Sequence, residues 1–275
     1  MLEIPEAAVL AEQMNELLIG KVIQKVITNQ SPHKFAWFAG DPEEYDALLK
    51  GKEINKAVNH GGLIEVYLDD VRMVLGDGVA LRLFSDKSKL PKKHQLCIQF
   101  TDGSFLVASV QMYGGMWCFK KGQFDNQYYF IAKEKPSPLS DQFNEKYFKK
   151  ITSEESVQKK SVKALLATEQ RIPGLGNGVL QDILYNAGIH PKKKVNNLSE
   201  KEKERIFQSI KDTLFEMTIQ GGRDTEKDLF GCFGGYKTKL SKRTVNQPCE
   251  ICGGQIIKKA YMGGSIYYCE KCQEE

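Results

Sequence analysis

No stretch of this 275-residue chain stays apolar for the roughly 20 residues of a membrane-spanning helix, so that class of integral membrane protein is set aside. The first residues, Met-Leu-Glu-Ile-Pro-Glu, have neither the basic start nor the apolar core of a secretory leader. The cytoplasm is therefore the expected compartment. Net charge is small at +4, which alone says little about a nucleic-acid partner. Internal repeats and low-complexity segments are missing, so a solenoid or a long disordered tail is not expected. A complete set of disulfides is missing too, because seven cysteines cannot all pair. An odd count fits a reducing compartment and a metal better than an oxidised secreted domain.

Four of those cysteines are the sharpest feature present. Cys249-Glu-Ile-Cys252 and Cys269-Glu-Lys-Cys272 stand sixteen residues apart. Two intervening residues let both sulfurs of a pair reach one ion from a tight knuckle. The longer span allows a hairpin that returns the second pair to complete a tetrahedron. This spacing predicts a zinc ribbon, with one structural Zn2+ held by Cys249, Cys252, Cys269 and Cys272. Cys97, Cys118 and Cys232 lie outside it.

The rest of the chain divides by periodicity. Pro5 and Glu6 suit a helix start, Gly20 suits its end, and residues 4–18 between them carry a rough apolar stripe. From 63 to 110, short β-branched and aromatic runs alternate with turns such as Asp69-Asp70, Gly76-Asp77-Gly78 and Asp102-Gly103. That pattern predicts an antiparallel β-sandwich. Pro136 and Pro138 mark a linker over 133–141. Beyond it the period is helical, at about 142–150, 154–168, 177–187 and 199–219. The expected fold is α+β in four parts. Residues 1–132 form a helix plus β-sandwich, 133–141 a linker, 142–226 a helical domain and 227–275 the zinc segment. Ser31-Pro-His-Lys-Phe-Ala-Trp37-Phe38 is rich in aromatics and has no role assigned by its pattern.

Within the helical part, Arg171-Ile-Pro-Gly174-Leu-Gly176-Asn177 interrupts two helices with a glycine-rich turn. Such a turn aims backbone N–H groups, and here Asn177, at a phosphate. Two basic clusters flank the motifs. One holds Lys159, Lys160 and Lys163, and the other runs from Lys237 to Lys242 and Arg243.

Together these features resemble the formamidopyrimidine-DNA glycosylase/endonuclease VIII family over nearly the whole chain. The start resembles the family's Met-Pro-Glu-x-Pro-Glu. Residues 159–191, through Ala187-Gly188-Ile189-His190-Pro191, resemble its helix–two-turn–helix element. Gly221-Gly222 through Lys227-Asp228 and the segment from Pro248-Cys249 resemble its approach to the finger and the finger itself. The resemblance implies a monomer that holds bent double-stranded DNA in a cleft with a damaged nucleotide flipped out. It implies Glu3 as general acid/base at the sugar, with Glu6 in support. Phosphate contacts are expected from Lys163, Gly174, Gly176, Asn177, Lys242 and Arg243.

The departures are as specific. The family's nucleophile is a proline after the initiator Met, and position 2 here is Leu2. A lysine expected before strand 63–68 is missing, since Asn59-His60-Gly61-Gly62 stands there and no lysine occurs between Lys56 and Lys87. The finger's phosphate-gripping arginine falls at Gly264, and the void-filling positions at Asp77 and Met112-Tyr113. The expected activity is base excision by hydrolysis, with water activated by a carboxylate, without efficient lyase action. The alternatives are a non-catalytic binder of damaged or distorted DNA and an RNA-directed protein on the same scaffold.

Overall fold

The computed structural model describes residues 2–274. Helix α1 (Ile4–Leu18) opens the chain, with Pro in its first turn where an N–H would have no partner. The β region follows with β1 (Ile23–Thr28), β2 (Ala36–Phe38), a short α2 (Tyr45–Leu49), β3 (Lys56–His60), β4 (Leu63–Leu68), β5 (Val71–Phe84), β6 (Leu96–Phe100) and β7 (Phe105–Lys120). Hydrogen bonding runs in the order β1-β6-β7-β5-β4-β3, antiparallel throughout. β2 adds to β7 in parallel. The two long strands extend past the runs read from sequence and carry one sheet through both layers. They are kinked by an irregular register between Asp77 and Val79, where Asp77 has φ 58. Val26 of β1 and Val66 of β4, near opposite ends of the strand order, therefore share one buried core. The aromatic segment is not merely a loop, since β2 lies within it.

Helix α3 (Gln127–Glu134) packs Tyr129 and Ala132 on the outer face against Trp117 and Phe119. The helical region holds α4 (Glu145–Ser153), α5 (Val162–Ala167), α6 (Asn177–Ala187) and α7 (Glu200–Ile219). α6 ends at Gly188 in the left-handed conformation, and α7 begins with a Ser199/Glu202 capping box. Their apolar faces form a second core around Leu180, Ile183, Ile210 and Leu214. Strands β8 (Ile256–Tyr261) and β9 (Gly264–Cys269) make a hairpin beside α6. No helix among the described residues is long and apolar enough to cross a membrane.

α1 joins the two cores. Ala7, Leu10, Ala11, Met14 and Leu18 recur at helical spacing in the first, while Ile4 is buried in the second. Its N-terminus therefore lies at the junction. The segment after α7 crosses the same junction, with Leu229 in the first core and Tyr236 in the second.

Candidate functional site

At the junction the chain's first residues meet the start of α6. Glu3 does not cap its own helix. Its carboxylate accepts N–H bonds from Gly178 (2.9 Å) and Val179 (2.7 Å), in the first turn of α6. Those groups have no partner within the helix, and the positive end of α6 favours an anion there. Glu6, one turn along α1, takes a two-pronged bond from Arg223, Nε and Nη2 each at 2.8 Å. Arg223 Nη1 also stands 3.6 Å from Glu3. All three side chains are buried, at 3% exposed for Glu3, 6% for Glu6 and 3% for Arg223.

The two carboxyls are pushed apart. Burial raises Glu3 above the usual range; Arg223 opposes that and the Glu6 charge adds to it. Burial also works against the Glu6 anion, but the Arg223 charge and hydrogen bonds outweigh it, and Glu6 falls below the usual range. Neighbouring carboxyls with opposite shifts are the pattern of an acid/base pair.

Glycine makes this convergence possible. Gly174 has φ +77, and a Cβ there would lie 2.0 Å from the Gly62 nitrogen. A Cβ on Gly178 would lie 1.9 Å from Arg223 Nη1. The Gly174 carbonyl accepts from Ile4 N at 3.0 Å. Gly62, in the stretch 59–62 where a lysine was expected, lies against the Leu2 carbonyl as well, 3.0 Å from an added Cβ. Backbone thus fills the space a lysine stem would need.

Leu2 is 7% exposed and packs into the β core. Its N–H donates to the Asp77 carbonyl at 2.7 Å. The Met1 amine lies outside the described residues. The Asp77 carboxyl accepts from Tyr128 Oη at 2.9 Å, and burial raises its pKa. A cavity of about 450 Å3 opens beside Leu2 and Glu6, walled by Arg82, Gln111, Lys227 and Phe233 among others. A larger one of about 770 Å3, lined by Pro138, Phe143 and Phe207, includes none of these side chains.

The expected phosphate ligands meet the finger hairpin. Asn177 Nδ2 donates to the Ser265 carbonyl (2.9 Å) and Lys163 Nζ to the Tyr261 carbonyl (2.9 Å). An added Cβ on Gly264 would lie 3.8 Å from Lys163 Nζ and 3.9 Å from Asn177 Nδ2, so the three positions converge. Lys163 is mostly buried, and burial lowers its pKa. Gly176 is the N-cap of α6. Arg243 bonds the Asp224 carbonyl at 3.2 Å, next to Arg223, while Lys242 is exposed on the same turn.

Sequence reading passed over three polar groups. Arg223 lies within the segment from Gly221 to Asp228 that resembles the family's approach to the finger, but its own side chain drew no role. Asp182 is fully buried on α6, where it accepts from Lys239 N and Leu240 N, and burial lifts it to about 6. Glu65 sits in β4 among His60 (2.8 Å), Tyr129 (2.6 Å) and Lys133 (3.0 Å). Burial would raise it, but those partners hold it at about 2. His60 is therefore anchored by a carboxylate and not isolated.

The four predicted cysteines do cluster, with their sulfurs within 4.8 Å of one another. Cys249 and Cys272 are 3.7 Å apart and Cys252 and Cys269 3.4 Å, too far for S–S bonds. A tetrahedron with metal–sulfur bonds of ~2.3 Å has edges of ~3.8 Å, so the sulfurs fit one ion. Tyr185 Oη, near the end of α6, stands 3.0 Å from Cys249 Sγ.

A buried acid pair at a helix N-terminus, between a folded-over sheet and a helical domain that ends in a four-thiol knuckle, defines a class. Residues 1–135 match the formamidopyrimidine-DNA glycosylase N-terminal domain, and residues 135–228 match the formamidopyrimidine-DNA glycosylase H2TH domain. The chain belongs to the formamidopyrimidine-DNA glycosylase/endonuclease VIII family. It is 29% identical over 281 residues to a formamidopyrimidine-DNA glycosylase of Bacillus licheniformis, covering 100% of both chains. A Cytobacillus firmus protein of the same name is 29% identical over 287 residues, covering 99% of this chain and 100% of its own. The Lactococcus lactis Fpg in complex with abasic-site DNA shares the fold at TM-score 0.83 and 24% identity, over 99% of this chain and 100% of that one.

Proposed function

We propose that this chain binds double-stranded DNA at a damaged or distorted nucleotide and releases the base by hydrolysis. The observation that carries this is Glu3, a buried carboxyl of raised pKa beside the very position where the family's amine is replaced by a buried leucine amide. Water is the remaining nucleophile. Glu3 takes a proton from water as the oxygen attacks C1′, the C1′–N bond breaks, and the base leaves with the electron pair and takes up a proton. A base with a raised pKa suits this step, because it accepts the proton more readily. Glu6 and Arg223 hold the site's charge and orient Glu3. The cavity beside Leu2 receives the extruded base, whose flipping is cheapest where pairing is already lost.

Phosphate contacts come from Gly174, Gly176, Asn177, Lys242 and Arg243. Lys163, with three donors and one used, both ties the finger and faces the strand. Zinc is the metal that suits four thiolates, and it closes the finger without an open coordination position. The four-part division at 132, 141 and 226 is kept as part of this reading, although α3 (Gln127–Glu134) spans the first boundary and Leu229 and Tyr236 of the last segment pack into the two cores. The cytoplasm is the compartment this activity needs.

A second reading rests on a different observation. Both Glu3 oxygens already accept backbone bonds, the lysine expected before strand 63–68 is missing, and Gly264 stands where the phosphate-gripping arginine falls. That favours a binder of damaged DNA that kept the scaffold. Base release from duplexes with oxidised and alkylated nucleotides, with binding to abasic duplex measured beside it, separates the two. Release that disappears in Glu3→Gln supports the glycosylase; tight binding with no released base supports the binder.

A further inference from the structure

The aromatic segment left unassigned by its pattern lies one strand away from this site. β2 pairs with β7 at Gly114–Met116, and Gly114 and Gly115 pair on their other side with Asp77 and Gly76. Asp77 in turn holds the Leu2 N–H. Trp37 thus lies on the strand next but one to the junction, with its ring 5.8 Å from that of Tyr113. The Tyr113 hydroxyl feels the negative charges of both Asp77 and Glu3, which help burial raise its pKa. The Trp37–Tyr113 ring pair is thus tied to the junction through three paired backbones, β2, β7 and β5.

The surface around the rings is unusually apolar for its exposure. Trp37 is 43% exposed, Phe35 47% and Met112 65%. Its backbone is tied down: the Phe35 carbonyl accepts from Gly114 N (2.9 Å), and Gln95 Nε2 grips the Ser31 carbonyl (2.7 Å). A backbone placed in advance lowers the ordering cost of binding. The segment itself carries a cation and no acid, while Asp77 lies on the Tyr113 side. No acid occurs from Asn29 to Gly40, Lys34 Nζ lies 5.4 Å from the Phe35 ring centroid, and Ser31 contacts the backbone of Lys92.

We propose that Phe35, Trp37 and Tyr113 form a stacking platform for unpaired bases of a DNA strand leaving the junction. The preferred substrate is then a duplex with a short single-stranded stretch, a bubble or fork, more than a continuous duplex with one altered base. This rests on the DNA-binding reading above and narrows it. Flat rings with nearby cations suit nucleobases of any sequence on a phosphate backbone, since every base presents a π-face.

Tryptophan fluorescence tests it directly. Trp37 and Trp117 are the only tryptophans, and Trp117 is buried at 6% exposed. Bubble DNA added to the full zinc-loaded chain should quench the exposed tryptophan, and Trp37→Ala should lose that response. Trp37→Ala should weaken bubble binding about 5- to 150-fold, the range of one base–aromatic stack, with about twofold change or less on continuous abasic duplex. Trp37→Phe should keep most of the affinity, and the salt slope should not change because no phosphate contact is lost. Equal losses on both DNAs, or none on the bubble, would overturn the platform while leaving duplex binding intact. Failure of the wild type to bind either DNA would instead remove the underlying reading and the platform with it. A dimer that Trp37→Ala converts to monomer would assign the surface to a second copy and overturn the proposal.

Discussion

Helix α6 carries both ends of the chain, and the two ends manage charge in different ways. At its first turn, Glu3 and Glu6 are neutralised from within by Arg223 and two backbone N–H groups. Near its last turn, Tyr185 touches a knuckle of four thiols that could hold a metal ion. The acid end is complete as the chain folds. On the zinc reading proposed above, the thiol end takes its counter-charge from outside. A site that supplies its own counter-charge can tune one member, as Glu3 is tuned upward. A site that borrows its counter-charge is bound to one task, which here is closing the finger.

Removing the borrowed charge should have the largest effect. Cys252→Ser or strong chelation should unfold the segment from Pro248 onward, since zinc binding in small fingers is worth ~10–16 kcal/mol of folding free energy. Metal analysis should find one zinc per wild-type chain, and amide exchange should accelerate in β8 and β9 while α1 stays protected. Loss of protection at α1 as well would mean the two ends are not independent.

Breaking the internal compensation comes next. Arg223→Ala leaves two buried carboxyls without their cation and should cost ~3–5 kcal/mol, read as a lower denaturant midpoint. Glu65 gives a reference inside the β domain. Its folded pKa of about 2 lies below the ordinary glutamate value of 4.5, so its stabilisation is present above pH ~4.5 and lost as pH falls toward ~2. A shift of that size corresponds to ~3 kcal/mol. Glu65→Gln should be less stable at neutral pH and lose that share of the acid sensitivity; an acid limb as steep as the wild type would contradict it.

Periodicity and spacing made much of this legible. The 4–18 helix, the helix at 177–187 and the four-cysteine cluster follow from apolar stripes, caps and a knuckle spacing, all local signals. The long reach of β5 and β7 was not legible, because Gly76-Asp77-Gly78 read as a turn and the β pattern was followed only to 110, whereas the chain bends there without leaving the sheet. Nor was Arg223, whose partner Glu6 is 217 residues away. No window of sequence pairs residues at that distance. Leu2 was legible as a departure, but its burial and its bond to Asp77 come only from tertiary packing.

The smallest effect tests the grip on phosphate. Gly264 has room for a side chain, with its nearest neighbours 3.8 Å and 3.9 Å from an added Cβ. Gly264→Arg should tighten duplex binding and steepen the log–log salt slope by roughly 0.9 per phosphate gained. Asn177→Ala should weaken binding by ~1 kcal/mol whatever the sequence. An unchanged slope in Gly264→Arg would place the DNA elsewhere.

The central claim is that Glu3 and water replace an amine at position 2. Borohydride trapping on duplex DNA with an abasic or damaged nucleotide addresses it most directly, with base release followed in parallel. The account predicts no efficient covalent adduct, released base with the strand left intact, and loss of that release in Glu3→Gln. A robust adduct mapped to the chain's first residues or to a lysine such as Lys56 would contradict it and restore a covalent mechanism.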